Sequence, residues 1–124
     1  MTLAYWCVLA AMFIPLVMTA LAKVGGTGFD NARVRDYLAE QTGWRKRADW
    51  AQQNHHEIFP AFAAAVIIAH LGDASQAAIN GWALAFVALR IAYSAIYVAD
   101  LATLRTLVWS AGVACVVALF IIAA

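Results

Sequence analysis

A chain of 124 residues in which 65% are hydrophobic and only 12% charged lies far outside the composition of a soluble domain, where about a quarter of residues carry charge. The formal net charge of +1 excludes an electrostatic nucleic-acid binder, and no basic face with interleaved aromatics stands outside the first loop. A hydrocarbon core about 30 Å thick needs about 20 helical residues per crossing, so the length accommodates four spans and leaves no room for a sizeable soluble domain.

Leu3 to Ala22 is nearly uninterrupted apolar sequence and gives the first span. Tyr5 and Trp6 stand where interfacial aromatics sit, and Pro15 predicts a kink. Ala20-Leu21-Ala22 is similar to a signal-peptide cleavage site. No positive charge precedes the segment, however, and it exceeds the roughly 7 to 15 apolar residues of a signal core, so it reads as a retained span. Gly25-Gly26-Thr27-Gly28 then breaks any helix. Residues 23–47 form the one large hydrophilic region, with a short helical turn around Ala32 to Glu40. Arg33, Arg35, Arg45, Lys46 and Arg47 make it basic, and the positive-inside rule puts it in the cytoplasm.

The second span covers residues 48–71, with Trp44 and Trp50 as interfacial anchors. His70 to Gln76 is a short turn without lysine or arginine, which suits the opposite side. The third and fourth spans cover residues 77–99 and 104–124, and Asp100 and Arg105 bracket their connection. Span counting returns that connection to the basic side and leaves both termini on the non-cytoplasmic side. The expected fold is an all-α integral-membrane four-helix bundle, a single domain over residues 1–124. Cys7 and Cys115, one each in the first and last apolar runs, read as packing residues, because neither lies near a base that would activate it.

The run from Arg45 to Pro60 enters the second span carrying Asn54, His55, His56 and Glu57. A charged residue at mid-membrane costs about 2.5 to 3.5 kcal/mol on the gentlest scale, so its presence points to a site. At 100° per residue, Asn54 falls within about 20° of Arg47, and Glu57 about 60° further round. The stripe continues through Ala61, Ala64 and Ala65, small enough to let another helix approach. In the third span Arg90, Tyr93, Tyr97 and Asp100 form a second stripe, within about 80°. The two stripes are expected to face each other, within one chain or across a subunit boundary. Each residue also has a plain structural reading. Glu57 and Arg90 could pair to fix helix register, Asn54 could make an interhelical hydrogen bond, the tyrosines could be packing aromatics, and the loop cations could only set topology. Neighbouring histidines point about 100° apart, so His55 and His56 cannot chelate one ion and no metal site is expected. Pro60 predicts a kink beside Glu57 and a protein-lined cavity there.

Asn54-His55-His56-Glu57-Ile58-Phe59-Pro60 resembles the Asn-x-x-Glu-x-x-Pro signature of the MAPEG family, the membrane-associated proteins in eicosanoid and glutathione metabolism. Arg90, Tyr93, Tyr97 and Arg105 recur after it, and the likeness, to a bacterial-type member, spans essentially the whole chain. The resemblance implies a homotrimer of four-helix bundles with glutathione held between subunits near the cytoplasmic face. By the same resemblance, Arg47, Asn54, Glu57, Arg90, Tyr93 and Tyr97 would bind glutathione and Arg105 would stabilise its thiolate. In the relatives the arginine stands one turn before the asparagine, where this chain has Trp50; Arg47 stands two turns before on nearly the same stripe. The spacing from Tyr97 to Arg105 also varies within the family.

The expected function is therefore a membrane-bound glutathione-dependent transferase or peroxidase acting on lipophilic electrophiles, in a bacterial inner membrane and crossing it several times. The family also includes a member that only binds and presents lipid, so a non-catalytic lipid- or hydrophobe-binding protein stands as the alternative. A bundle whose stripes only specify assembly is the third.

Overall fold

The computed structural model describes all of residues 1–124. It is wholly helical: α1 (Leu3–Lys23), a 3-10 turn (Asn31–Arg33), α2 (Val34–Ala39), α3 (Gly43–Leu71), α4 (Gln76–Val98) and α5 (Ala102–Ala123). Thr2 caps α1 and Ser75 caps α4 through their side-chain oxygens, the local interaction that lets an apolar run begin as a helix. Pro15 and Pro60 both lie inside unbroken helices. Helices α1, α4 and α5 are long and apolar enough to cross a membrane. The 29-residue α3 has the length, but the Asn54 to Glu57 stretch lowers its apolarity. It begins at Gly43, earlier than the span edge expected at residue 48, because Trp44 to Arg47 continue the helix beyond the apolar run.

The four long helices pack as one bundle: α1 lies against α3 and α4, and α5 against α3 and α4. Interior positions are small, with Ala4, Ala22, Ala48, Ala51, Ala65, Ala69 and Ala83 fully buried. Large side chains such as Trp6, Phe13, Leu16, Ile91, Leu107 and Ile121 face outward. This is the reverse of a water-soluble bundle. It fits a solvent of lipid tails, where small residues let helix backbones approach closely.

Two apolar clusters fill the bundle. One, around the stacked pair Phe62 and Phe86 with ring centroids 3.9 Å apart, also holds both cysteines. The other gathers Met18, Ala22, Tyr37, Leu38, Ala48, Ala51 and Tyr93.

The ends of the bundle differ. At one, Thr2 bonds His70, the Ala4 amide bonds Asn80, and Gly72 meets Ala123, so both termini sit beside the α3–α4 turn. At the other, three successive basic residues of α3 each hold the carboxyl end of a different helix. Arg45 Nε donates to the Val24 carbonyl at 2.9 Å, Lys46 Nζ to those of Leu38 and Ala39 at 3.3 and 2.9 Å, and Arg47 Nε to that of Val98 at 2.9 Å. Orphan carbonyls at helix ends need donors, and the helix dipole favours cationic ones.

Candidate functional site

Between the clusters, five side chains of α3 and α4 form one connected hydrogen-bonded set. The Ser94 hydroxyl donates to the Arg90 carbonyl at 3.0 Å and lies 2.7 Å from His55 Nε2. Arg90 Nε and Nη2 donate to His55 Nδ1 at 3.0 and 2.9 Å, and Nη2 also donates to Asn54 Oδ1 at 2.9 Å. Asn54 Nδ2 donates to Glu57 Oε2 at 3.0 Å. Arg90 is 2% exposed and His55 3%. A guanidinium so buried needs its donors satisfied, and it also stacks on Tyr93, with Cζ 4.2 Å from the ring centroid.

The outer end of this set opens into a groove with two lobes. One, about 240 Å³, is lined by Asn54, Tyr93, Tyr97, Arg105, Thr106 and Trp109. The other, about 430 Å³, is lined by Trp50, Gln53, Asn54, Glu57, Tyr93 and Tyr97. Asn54, Tyr93 and Tyr97 belong to both. The tyrosine rings meet edge to face at 5.5 Å. Arg105 lies over Tyr97, with Cζ 4.5 Å from the ring centroid. It takes part in none of the chain's three ion pairs. The groove therefore offers one cation not engaged in an ion pair, a carboxylate, two amides and two phenols between aromatic walls.

The profile of the MAPEG family matches residues 3–124. The chain belongs to the MAPEG family. Neither a curated protein nor a solved structure matches it. MAPEG proteins are membrane proteins on a scaffold associated with glutathione-dependent transferase and peroxidase chemistry, and members of the family generally use glutathione and bind lipophilic substrates.

Of the residues singled out by the MAPEG signature, the chain brings Asn54, Glu57, Tyr93, Tyr97 and Arg105 to the groove. Arg90 lies behind them in the interior, bonded to Asn54 and His55 rather than to Glu57, so the ion pair weighed for Glu57 and Arg90 does not form. Arg47 stands apart: its Nε is held on the Val98 carbonyl, and Nη1 lies 3.9 Å from the Asp100 carboxylate. The two polar stripes meet within a single chain, through the bond from Arg90 to Asn54.

His55, Ser94, Trp50, Gln53, Thr106 and Trp109 are not among the site residues that the resemblance implies. Trp109 carried a signal, one turn beyond Arg105 on α5, and so did Ser94, one turn beyond Arg90 on α4. His55 and His56 diverge, the first buried against Ser94 and the second exposed. No group of three or more metal-ligating side chains stands together.

On the other side of α3, a polar cleft of about 630 Å³ is lined in part by Arg35, Lys46, Asp49, Gln52, Gln53 and Glu57. Asp49, 3% exposed, accepts from Gln52, Gln53 and Lys46. Gln53 and Glu57 line this cleft and the groove alike.

Proposed function

We propose that this MAPEG protein is a membrane-bound transferase or peroxidase that uses glutathione as its thiol co-substrate and acts on lipophilic electrophiles. The reading is carried by Arg105, a guanidinium outside every ion pair that shares its groove with Asn54, Glu57, Tyr93 and Tyr97. Glutathione presents two carboxylates, an amine and a thiol. Glu57 suits the amine, and Asn54 and Gln53 suit the peptide groups. Arg105 suits the thiol, because the thiolate is the nucleophile and a guanidinium within about 4 to 6 Å favours the anion.

In the transferase reaction the sulfur attacks the electrophilic carbon, the carbon–sulfur bond forms as the leaving group departs with its electron pair, and the thiol proton goes to solvent. In the peroxidase reaction two thiols are oxidised to one disulfide while a lipid hydroperoxide is reduced to an alcohol and water. Trp109, which lines the groove and is exposed on α5, gives a lipid-dissolved electrophile a lateral way in.

The same proposal takes α3 as the fourth crossing, residues 1–124 as a single domain, and the basic end as the cytoplasmic one. Both termini are then on the far side of a bacterial inner membrane. It includes a homotrimer, supported by two observations. Gln53, His56 and Glu57 are exposed on the outside of an isolated chain, where polar groups at membrane depth need covering. The groove also lacks a cation for either carboxylate of glutathione, since Arg105 is given to the thiol and Arg47 and Arg90 are engaged elsewhere.

Titration calorimetry of the purified protein with glutathione, together with conjugation of a chloronitrobenzene, tests the reading. Saturable binding with turnover is expected. Saturable binding of lipid without thiol binding or turnover would overturn it in favour of a hydrophobe carrier.

A further inference from the structure

The hydrogen in each bond of the buried circuit behind the groove can be assigned. A guanidinium only donates, so His55 Nδ1, which receives both Arg90 Nε and Nη2, carries a lone pair. A neutral ring then bears its proton on Nε2, and the Ser94 oxygen 2.7 Å away accepts it. The hydroxyl hydrogen of Ser94 is directed to the Arg90 carbonyl. On its other sides the ring meets Tyr93 edge-on at 5.8 Å and shares a small apolar void with Ala11, Ile14, Ile58, Phe59 and Phe86. A proton on Nδ1 would point at the guanidinium.

The remaining Nη2 hydrogen of Arg90 goes to Asn54 Oδ1. The Asn54 oxygen is thereby committed, and its NH2 group is turned outward with one hydrogen on Glu57 Oε2. Were the amide reversed, its oxygen would face the carboxylate and its NH2 the guanidinium, two repulsive contacts in place of two bonds.

We propose that His55 is a positioning residue of the groove: as the neutral Nε2–H tautomer it fixes Arg90, and Arg90 fixes which way round the Asn54 amide stands against Glu57. Glu57 Oε1 and the second Asn54 N–H are then presented together, an acceptor for a ligand ammonium beside a donor for a ligand carbonyl or carboxylate. The choice of ligand rests on the glutathione reading; the hydrogen-bond directions do not.

The test uses the full chain in lipid discs, as wild type, His55→Leu and His55→Gln. Loss of a charge-assisted bond costs about a factor of ten. For His55→Leu we expect glutathione Kd and KM to rise about tenfold while kcat stays within about twofold. In His55→Gln the side-chain oxygen accepts from Arg90, and affinity should return to within about threefold of wild type. A role confined to packing would lower thermal stability and leave KM unmoved. Wild-type affinity in His55→Leu, or a His55→Gln no better than His55→Leu, overturns the proposal.

Nitrogen NMR of histidine-labelled wild type, with His55 assigned by its loss in His55→Gln, gives a readout independent of any ligand. The expected spectrum has a bare Nδ1 and a protonated Nε2; a protonated Nδ1 overturns the proposal. Should wild type bind no glutathione, the functional reading fails, and the tautomer still decides whether His55 holds the circuit.

Discussion

Replacing Arg105 by alanine removes the one groove cation outside an ion pair, and the size of the effect can be worked out. A thiolate held about 5 Å from a guanidinium, at an effective dielectric near 20, gains about 3 kcal/mol. Because Arg105 is partly exposed, screening reduces this to a thiol pKa lowered by about 2 units from its ordinary value of about 8.5 to 9. At about pH 6.5 the wild type then holds up to about 100-fold more of its bound thiol ionised than Arg105→Ala does. The less basic thiolate is about tenfold less nucleophilic for a Brønsted coefficient near 0.5, so the net advantage in kcat is about tenfold. The sign follows from the shift: wild-type activity rises with pH through the lower pKa and the variant through the higher one. Above about pH 9 both thiols are ionised, and the difference vanishes or reverses. The assay is chloronitrobenzene conjugation at saturating glutathione across this range, with Arg105→Lys expected to keep most of the shift. A pH midpoint unchanged in Arg105→Ala would refute the assignment of Arg105 to the thiolate.

Three further outcomes follow from the geometry. Glu57→Gln leaves an oxygen to accept from Asn54 but loses the charge facing a ligand ammonium, so calorimetry should show about tenfold weaker glutathione binding, with thermal stability changed by less than about 0.5 kcal/mol. Phe62→Ala empties one half of a buried aromatic stack and should cost about 3 to 5 kcal/mol in detergent unfolding. Gly26→Ala would set a methyl group onto the Tyr37 hydroxyl. Hydrogen exchange should then rise in α2 while the long helices stay protected.

Three of the four expected spans, α1, α4 and α5, could be read from sequence because long apolar runs have few alternatives, and the stripes because 100° per residue is a property of any α-helix. Asn54, Tyr93 and Tyr97 were legible for that reason, and their meeting within one chain follows from α3 packing on α4. What sequence could not supply were partners set by reach between helices. Arg47 shares a stripe with Asn54, yet its long side chain finds the Val98 carbonyl 51 positions away in sequence. Arg90 could have met Glu57, one turn along α3 from Asn54, but His55 and Asn54 lie nearer its head group. Adjacent histidines look alike in a string of letters, and only the crossing of α3 and α4 makes one an interior acceptor and the other a surface ring.

The triplet Arg45-Lys46-Arg47, spent on the carboxyl ends of α1, α2 and α4, joins two properties that are usually mutated apart. A positive charge there orients the chain during insertion whatever its shape, whereas closing three helix ends requires side chains of a given length and fork. Exchanging Arg45 and Arg47 for lysine keeps the first and weakens the second. Correctly oriented chains with a loosened basic end would then accumulate, which makes insertion and final compaction separable steps in the biogenesis of this protein.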